Sequence, residues 1–353
     1  MSKIFYKPSD TTYTDTHTYY NATIVNSTNV PTVANYSDNR DEELLTDPEH
    51  WHLSIERADI DALYIPIFHF IPGAYKVFIS YGVVSSTQDL VYVSESTLTP
   101  LDSLKPVYSI NHFLKMVNDA LALAFNAVSS VIPLAFRPAY PPGFVYDPNT
   151  KLFALVAETT YDTEVPPSGI AIFIGLNTRL FNMLSGGWDA KYYGPGSPAL
   201  DYNFRVYNQK NNIITISDPA GVIPTKFAYE MKAEYVSSNL KDAIKLVLTT
   251  TMPIAREYIP ALEGGIATGG NSTQAILTDF SIGSQPDDVG RPGYLYIAQY
   301  PRNIDLVGNI PVRNITIAVY WQDRAGVLYP VYVPPHSCFT IKMAFKRKTN
   351  ISR

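Results

Sequence analysis

The stretch from Asn314 to Lys346 constrains the fold more than any other part of the chain. Ile315, Ile317, Val319 and Trp321 recur at every second position. Phe339, Ile341, Met343 and Phe345 do the same, with Thr340, Lys342 and Lys346 between them. A period of two marks a strand with one buried face, because successive side chains point to opposite sides of a pleated sheet. Asp323 to Gly326 reads as a reverse turn, with Gly326 supplying the φ > 0 position. It leads into a third β-patterned run, Leu328 to Val333. Trp321, Phe339, Ile341, Met343 and Phe345 are therefore expected in a β core and not at a site.

Composition points the same way. Charged residues make up 17 % of the 353 positions, while Tyr reaches 26 and Pro 27. Low charge with abundant Tyr, Thr, Val and Pro suits a β-rich chain with many loops. Tyr also favours contact surfaces, since it joins a large apolar body to a polar tip. A large sandwich with polar loops would account for the same numbers. The net charge of −5 gives no general reason to bind nucleic acid. Charge is uneven, however: Lys342, Lys346, Arg347, Lys348 and Arg353 crowd the C-terminus without an acid. Such a tail either meets a partner or is a solvated end. Cys338 is the single cysteine, which excludes an intramolecular disulfide and fits folding in a reducing compartment. The N-terminus lacks an apolar run of signal-peptide length, and no stretch approaches the ~18 apolar residues of a membrane span.

Residues 1–45 are rich in Tyr, Thr, Asn and Asp, with no sustained period. They cannot bury enough apolar surface alone to offset their ordering entropy. The scattered Tyr13, Tyr19 and Tyr20 favour an extended arm laid on another surface. Strands are expected at 52–57, 65–71, 75–84, 89–94, 144–146, 152–156, 169–175, 226–236 and 245–251. Phe204–Tyr207 and Ile213–Ile216 read as a hairpin. One helix stands out over 109–131, with Ser109 as its cap and Ile110, Phe113, Leu114, Val117, Leu121, Ala124, Phe125 and Val128 on one face. Its expected task is to cover an open end or edge of a sheet. Residues 178–184 suggest a short helix, and 185–240 a β insertion. These elements define a mainly β, antiparallel sandwich. The expected division is an arm at 1–45, a core at 46–184 and 241–353, and the insertion between.

Catalytic and metal chemistry finds little footing. His50 and His52 would share a strand face, but a metal site needs three or four convergent ligands and nothing in the sequence completes the set. Gly264 to Gly270 has the glycines of a phosphate loop without the Lys-Ser/Thr pair that follows one. Asp287 and Asp288 fall short of the ~6–8 oxygens of a calcium site. Cys338 enters a strand and is expected to pack inertly there. No catalytic residue, cofactor or metal is expected.

Several segments, in order, resemble one family. They are Leu45–Arg57 (LTDPEHWHLSIER) with Ile65–Phe70 (IPIFHF), then Val107–Leu121 (VYSINHFLKMVNDAL). Ile172–Leu184 (IFIGLNTRLFNML), Leu246–Ile254 (LVLTTTMPI), Tyr320–Gly326 (YWQDRAG) and Leu328–Pro335 (LYPVYVPP) follow. Together they are similar to the penton, or minor capsid, proteins of virophages and of Polinton-like and adenovirus-like double-stranded DNA viruses. The resemblance covers roughly residues 44–353. It implies a jelly roll that forms a homopentamer at the icosahedral five-fold vertex and contacts a double-jelly-roll major capsid protein, with other minor capsid proteins as further neighbours. It also implies a virion protein made and assembled inside the host cell, without specific nucleic-acid binding or a membrane span.

Two other classes compete. A receptor- or carbohydrate-binding sandwich, of spike or lectin kind, would use exposed aromatics such as Trp188, Tyr192 and Tyr193. A cupin-type enzyme would need a His/Glu metal set on adjacent strands, and the histidines are scattered. The candidate contact residues are Tyr13, Tyr19, Tyr20, Trp188, Tyr192, Tyr193, Lys346, Arg347 and Lys348.

Overall fold

The computed structural model describes residues 17–61, 63–94, 105–184, 186–193, 201–208, 212–218, 223–236, 240, 243–255, 258–260, 262–263, 266–267, 273–282, 293–324 and 326–348. The chain is mainly β and divides into two compact units. The first comprises 1–64, 245–281 and 292–353, and the second 65–244 and 282–291.

Two larger antiparallel sheets make up most of the first unit. One runs in the order His17–Val25, Cys338–Arg347, Trp51–Ile60 and Tyr294–Ile297, with Ile304–Asp305 also paired to Trp51–Ile60. The other runs Tyr258–Pro260, Thr273–Ser281, Lys245–Thr250, Asn314–Gln322 and Leu328–Pro330, with Asn35–Asn39 paired to Asn314–Gln322. Along the chain the strands pass back and forth: Trp51–Ile60 in the first sheet, three strands in the second, Tyr294–Ile297 and Ile304–Asp305 in the first, Asn314–Gln322 in the second, and Cys338–Arg347 in the first. This exchange between two sheets is the connectivity of jelly-roll sandwiches.

The alternation read in the closing strands is their burial pattern. Ile315, Ile317, Val319 and Trp321 are buried, as are Phe339, Ile341, Met343 and Phe345. Asp323 accepts from Gly326 N–H, and Gly326 takes a positive φ of 87°, so the turn is the one its glycine announces. Phe339 facing in obliges Cys338 to face out. Cys338, expected to pack in the core, is exposed at the start of its strand.

Within residues 17–45 the strands His17–Val25, Thr32–Val33 and Asn35–Asn39 pair within their own chain. His17–Val25 runs antiparallel to Cys338–Arg347 through nine opposed positions, from His17 against Lys346 to Val25 against Cys338. Tyr20, Ala22 and Ile24 point into the core.

The second unit is built on the long helix, Ile110–Ser129. The Ser109 hydroxyl accepts from His112 N–H at 3.0 Å and caps it. The apolar face is buried, and so is His112. The helix packs on Lys76–Tyr81 and Val84–Asp89 of one sheet and on Gly143–Asp147 of another. Asn118 donates to Phe144 O at 2.9 Å and accepts from Phe144 N–H at 2.7 Å. Gly143–Asp147 is an edge strand, so the carboxamide satisfies backbone groups that no neighbouring strand reaches.

Segment 185–240 supplies strands to both of the larger sheets of this unit. Ala190–Tyr192 and Tyr202–Phe204 extend the sheet of Ile172–Leu176, Lys76–Tyr81 and Val84–Asp89, while Ile213–Ile216 and Lys226–Lys232 extend the sheet of Leu152–Glu158 and Gly143–Asp147. The expected hairpin between 204–207 and 213–216 does not form. Tyr202–Phe204 pairs with Ala190–Tyr192 and Ile172–Leu176, and Ile213–Ile216 pairs with Lys226–Lys232. Sequence adjacency suggested the hairpin, but each strand pairs instead with its neighbour on the other side along the chain.

Candidate assembly surfaces

The first sheet presents two different edges. At one lies His17–Val25, whose outward row includes Tyr19, 54 % exposed, and Val25, 65 % exposed. The His17 and Tyr19 rings stack at 6.5 Å, and the Lys342 ammonium lies 4.6 Å from the Tyr19 ring centre. Tyr13, further along the same segment, lies outside the described residues. Tyr20, one position from Tyr19, is turned inward and almost covered.

At the other edge lies Tyr294–Ile297. Leu295 and Ile297 are exposed, and the nearby Tyr300 is almost wholly so. Tyr296, between them, stacks on Phe280 of the second sheet at 4.6 Å. Sequence reasoning missed this edge. Tyr294 to Ile297 is apolar at every position, so its period of two gives no inside or outside. Exposed apolar side chains along a sheet edge are a contact surface in waiting.

Lys346 and Arg347 of the closing strand, and Lys348 just after it, are held within the chain. Lys346 lies 2.9 Å from Glu56, Arg347 3.7 Å from Asp47 and Lys348 2.8 Å from Asp305. His52 also lies 2.8 Å from Asp305. The Lys348 ammonium holds the Asp305 carboxyl below the usual carboxylate range. Lys346, Arg347 and Lys348, read as unopposed charge, are thus matched by Glu56, Asp47 and Asp305, which are distant in sequence, while Arg353 lies outside the described residues. His50 likewise sits 3.4 Å from Asp47. Among the described residues, no three His, Cys, Asp or Glu side chains gather as metal ligands. None of the described helices is long and apolar enough to cross a membrane.

In the second unit, Trp188 is a packing residue. Its indole N–H donates to Leu184 O at 2.6 Å, and its ring stands edge-on to Phe144 and Phe204. Tyr192 is 54 % exposed and lies 4.9 Å from the Tyr202 ring, which stacks on Phe181 at 3.9 Å. Tyr193 N–H continues the ladder to Asp201 O, so Tyr192 and Tyr193 face opposite sides of the sheet. Strand alternation therefore separates the two tyrosines that sequence proximity had grouped.

The first unit is thus a two-sheet sandwich with exposed aromatic and aliphatic side chains along its edges, and the second a helix-supported β unit. The chain matches the Sputnik minor capsid protein V18/19 family over residues 18–347, and it belongs to that family of capsid proteins. Structural protein V19 of Sputnik virophage is 28 % identical over 212 residues, which are 58 % of this chain and 94 % of that protein. A chain in the 3.5 Å cryo-electron-microscopy structure of the Sputnik virophage superposes with a TM-score of 0.71 at 25 % identity, covering 94 % of this chain and 98 % of that one. The mavirus penton protein shares the fold at 14 % identity, with a TM-score of 0.63 over 94 % of this chain and 99 % of the other.

Proposed function

We propose that this minor capsid protein is a penton: a homopentamer that closes the icosahedral five-fold vertices and contacts a double-jelly-roll major capsid protein. One observation carries the reading. The fold shared with the mavirus penton protein extends through nearly the whole of both chains, including both compact units. A closed ring of five requires head-to-tail contacts, in which each subunit uses two different faces. The first sheet has two unlike edges of this kind, one around Tyr19 and Val25 and the other around Leu295 and Ile297. We assign Tyr19 and the arm bearing Tyr13 to contacts with neighbours. Tyr192 and Tyr193 serve as exposed contacts of the second unit, which is inserted in sequence between strands Trp51–Ile60 and Lys245–Thr250. Assembly takes place inside the host cell.

The test is assembly of major capsid protein with and without this chain, imaged by cryo-electron microscopy. Density at the five-fold positions should appear only when the chain is present. Vertices filled without it, or the chain found elsewhere in the shell, would contradict the proposal.

A further inference from the structure

We propose that the second unit binds a neutral pyranose sugar in a basin on the outer face of the sheet that contains Ile172–Leu176. Asn203 is opposed in register to Gly175 on one side and to Lys191 on the other, so the three share a face. Phe173, Arg205 and Tyr193, each two positions along, belong to that face as well. Phe173, Lys191, Tyr193, Asn203 and Arg205, with Thr163, Glu164 and Phe204, line a half-open basin of about 290 Å³. That is near the low end of the ~300–1,000 Å³ of small-molecule sites, which suits one sugar ring and not an extended chain.

The floor carries the main observation. Asn203 is only 4 % exposed, yet its carbonyl oxygen has no hydrogen-bond partner among the described residues. Buried polar atoms are rarely left so, and each such case calls for an explanation. A Cβ at position 175 would overlap that oxygen, so glycine there is what lets the carboxamide lie across the strand. The terminal torsion of Asn is soft, so the carboxamide is free to reorient to a hydroxyl seated in the basin.

The walls decide the ligand class. Phe173 and Tyr193 offer ring surface to the C–H face of a pyranose. Arg205 lies 2.5 Å from Glu164 and 3.4 Å from Asp189. The Lys191 ammonium rests 4.9 Å from the Tyr193 ring centre. Its charge and that of Arg205 are thus offset by Glu164 and Asp189, and an anion gains little. The paired guanidinium and carboxylate instead present donors beside acceptors, which matches the vicinal hydroxyls of a neutral sugar.

The inference stands independently of the pentamer. It is tested on the full-length protein by saturation-transfer NMR with the methyl pyranosides of glucose, galactose, mannose and N-acetylglucosamine, and with N-acetylneuraminic acid as the charged comparator. At least one neutral glycoside should show transfer. Its affinity should fall fivefold or more in Tyr193→Ala and in Glu164→Gln, and stay unchanged in Leu134→Ser, an exposed position of the same unit that does not line the basin. Unchanged circular dichroism in the basin variants separates loss of binding from loss of fold. Transfer to none of the glycosides, transfer to the acid alone, or undiminished affinity in both basin variants would overturn the proposal.

Discussion

The Tyr20 hydroxyl donates to the Asp38 carboxylate across 2.5 Å and also meets the Tyr36 hydroxyl. Tyr20 belongs to the first sheet of the sandwich, and Tyr36 and Asp38 to a strand of the second. The contact therefore ties the N-terminal strand across the sandwich as well as along it. Tyr20→Phe should cost about 1–3 kcal/mol by leaving polar atoms under-satisfied, at roughly 1–2 °C of Tm per kcal/mol for a chain of this size. Differential scanning fluorimetry reads the shift. A Tm equal to wild type would mean that the strand is held by its backbone ladder alone.

The same residue sets an alkaline limit. Burial, reinforced by Asp38 and Tyr36, raises the Tyr20 pKa above its ordinary value of 10.0. A group whose folded pKa is raised contributes stability that is fully present below its unfolded pKa and declines above it. Stability should therefore fall from about pH 10 upward. Tyr161, buried beside Glu158, adds to the slope. In Tyr20→Phe the decline should be shallower, as followed by denaturant midpoints between pH 8 and pH 11.

Ile341 tests the facing of the closing strand. It is fully buried, opposed to Ala22 on one side and Ala58 on the other. An unpaired carboxylate there should cost about 4 kcal/mol or more. Ile341→Asp should abolish soluble yield, while Lys342→Ala, one position along, should be tolerated. Wild-type yield from Ile341→Asp would reverse the assigned faces.

Gly186 is fixed by close approach. Its carbonyl accepts from the N–H groups of Glu234 and Tyr235, and an added Cβ would overlap the Tyr235 carbonyl oxygen. Backbone cannot swing aside as a long side chain can, so Gly186→Ala should lower stability by about 1–3 kcal/mol. Retained Tm would show that this crossing opens freely.

Glu158 is a buried carboxyl whose pKa is raised, chiefly by burial, against the backbone N–H of Tyr140 that it accepts from. Its contribution to stability is present below its unfolded pKa and lost as pH rises through the folded one. Glu158→Gln keeps the acceptor oxygen and removes the charge. Its Tm should exceed that of wild type at pH 8 and converge with it at about pH 4. An equal difference at both pH values would remove burial of the charge as the cause.

The sequence was most legible where one side of an element is apolar and the other is not. Asn314–Gln322, Cys338–Arg347 and Ile110–Ser129 fall in this group, and so does the Asp323–Gly326 turn. Legibility ended at long-range pairing. The mixed polar and apolar residues of His17–Val25 give little sign that the segment joins Cys338–Arg347, some three hundred residues away. Tyr294–Ile297 is apolar on both sides, so an exposed edge looks like core. Lys346, Arg347 and Lys348 read as free charge because their acids lie elsewhere in sequence. Tyr192 and Tyr193 looked like one patch until strand geometry parted them. The Asn203 basin draws on three strands and had no local signature.

The central claim, a ring of five, is tested most directly by native mass spectrometry of the purified protein. The account predicts one dominant species at five times the 39.3 kDa chain mass. A stable monomer, persisting when major capsid protein is added, would contradict it.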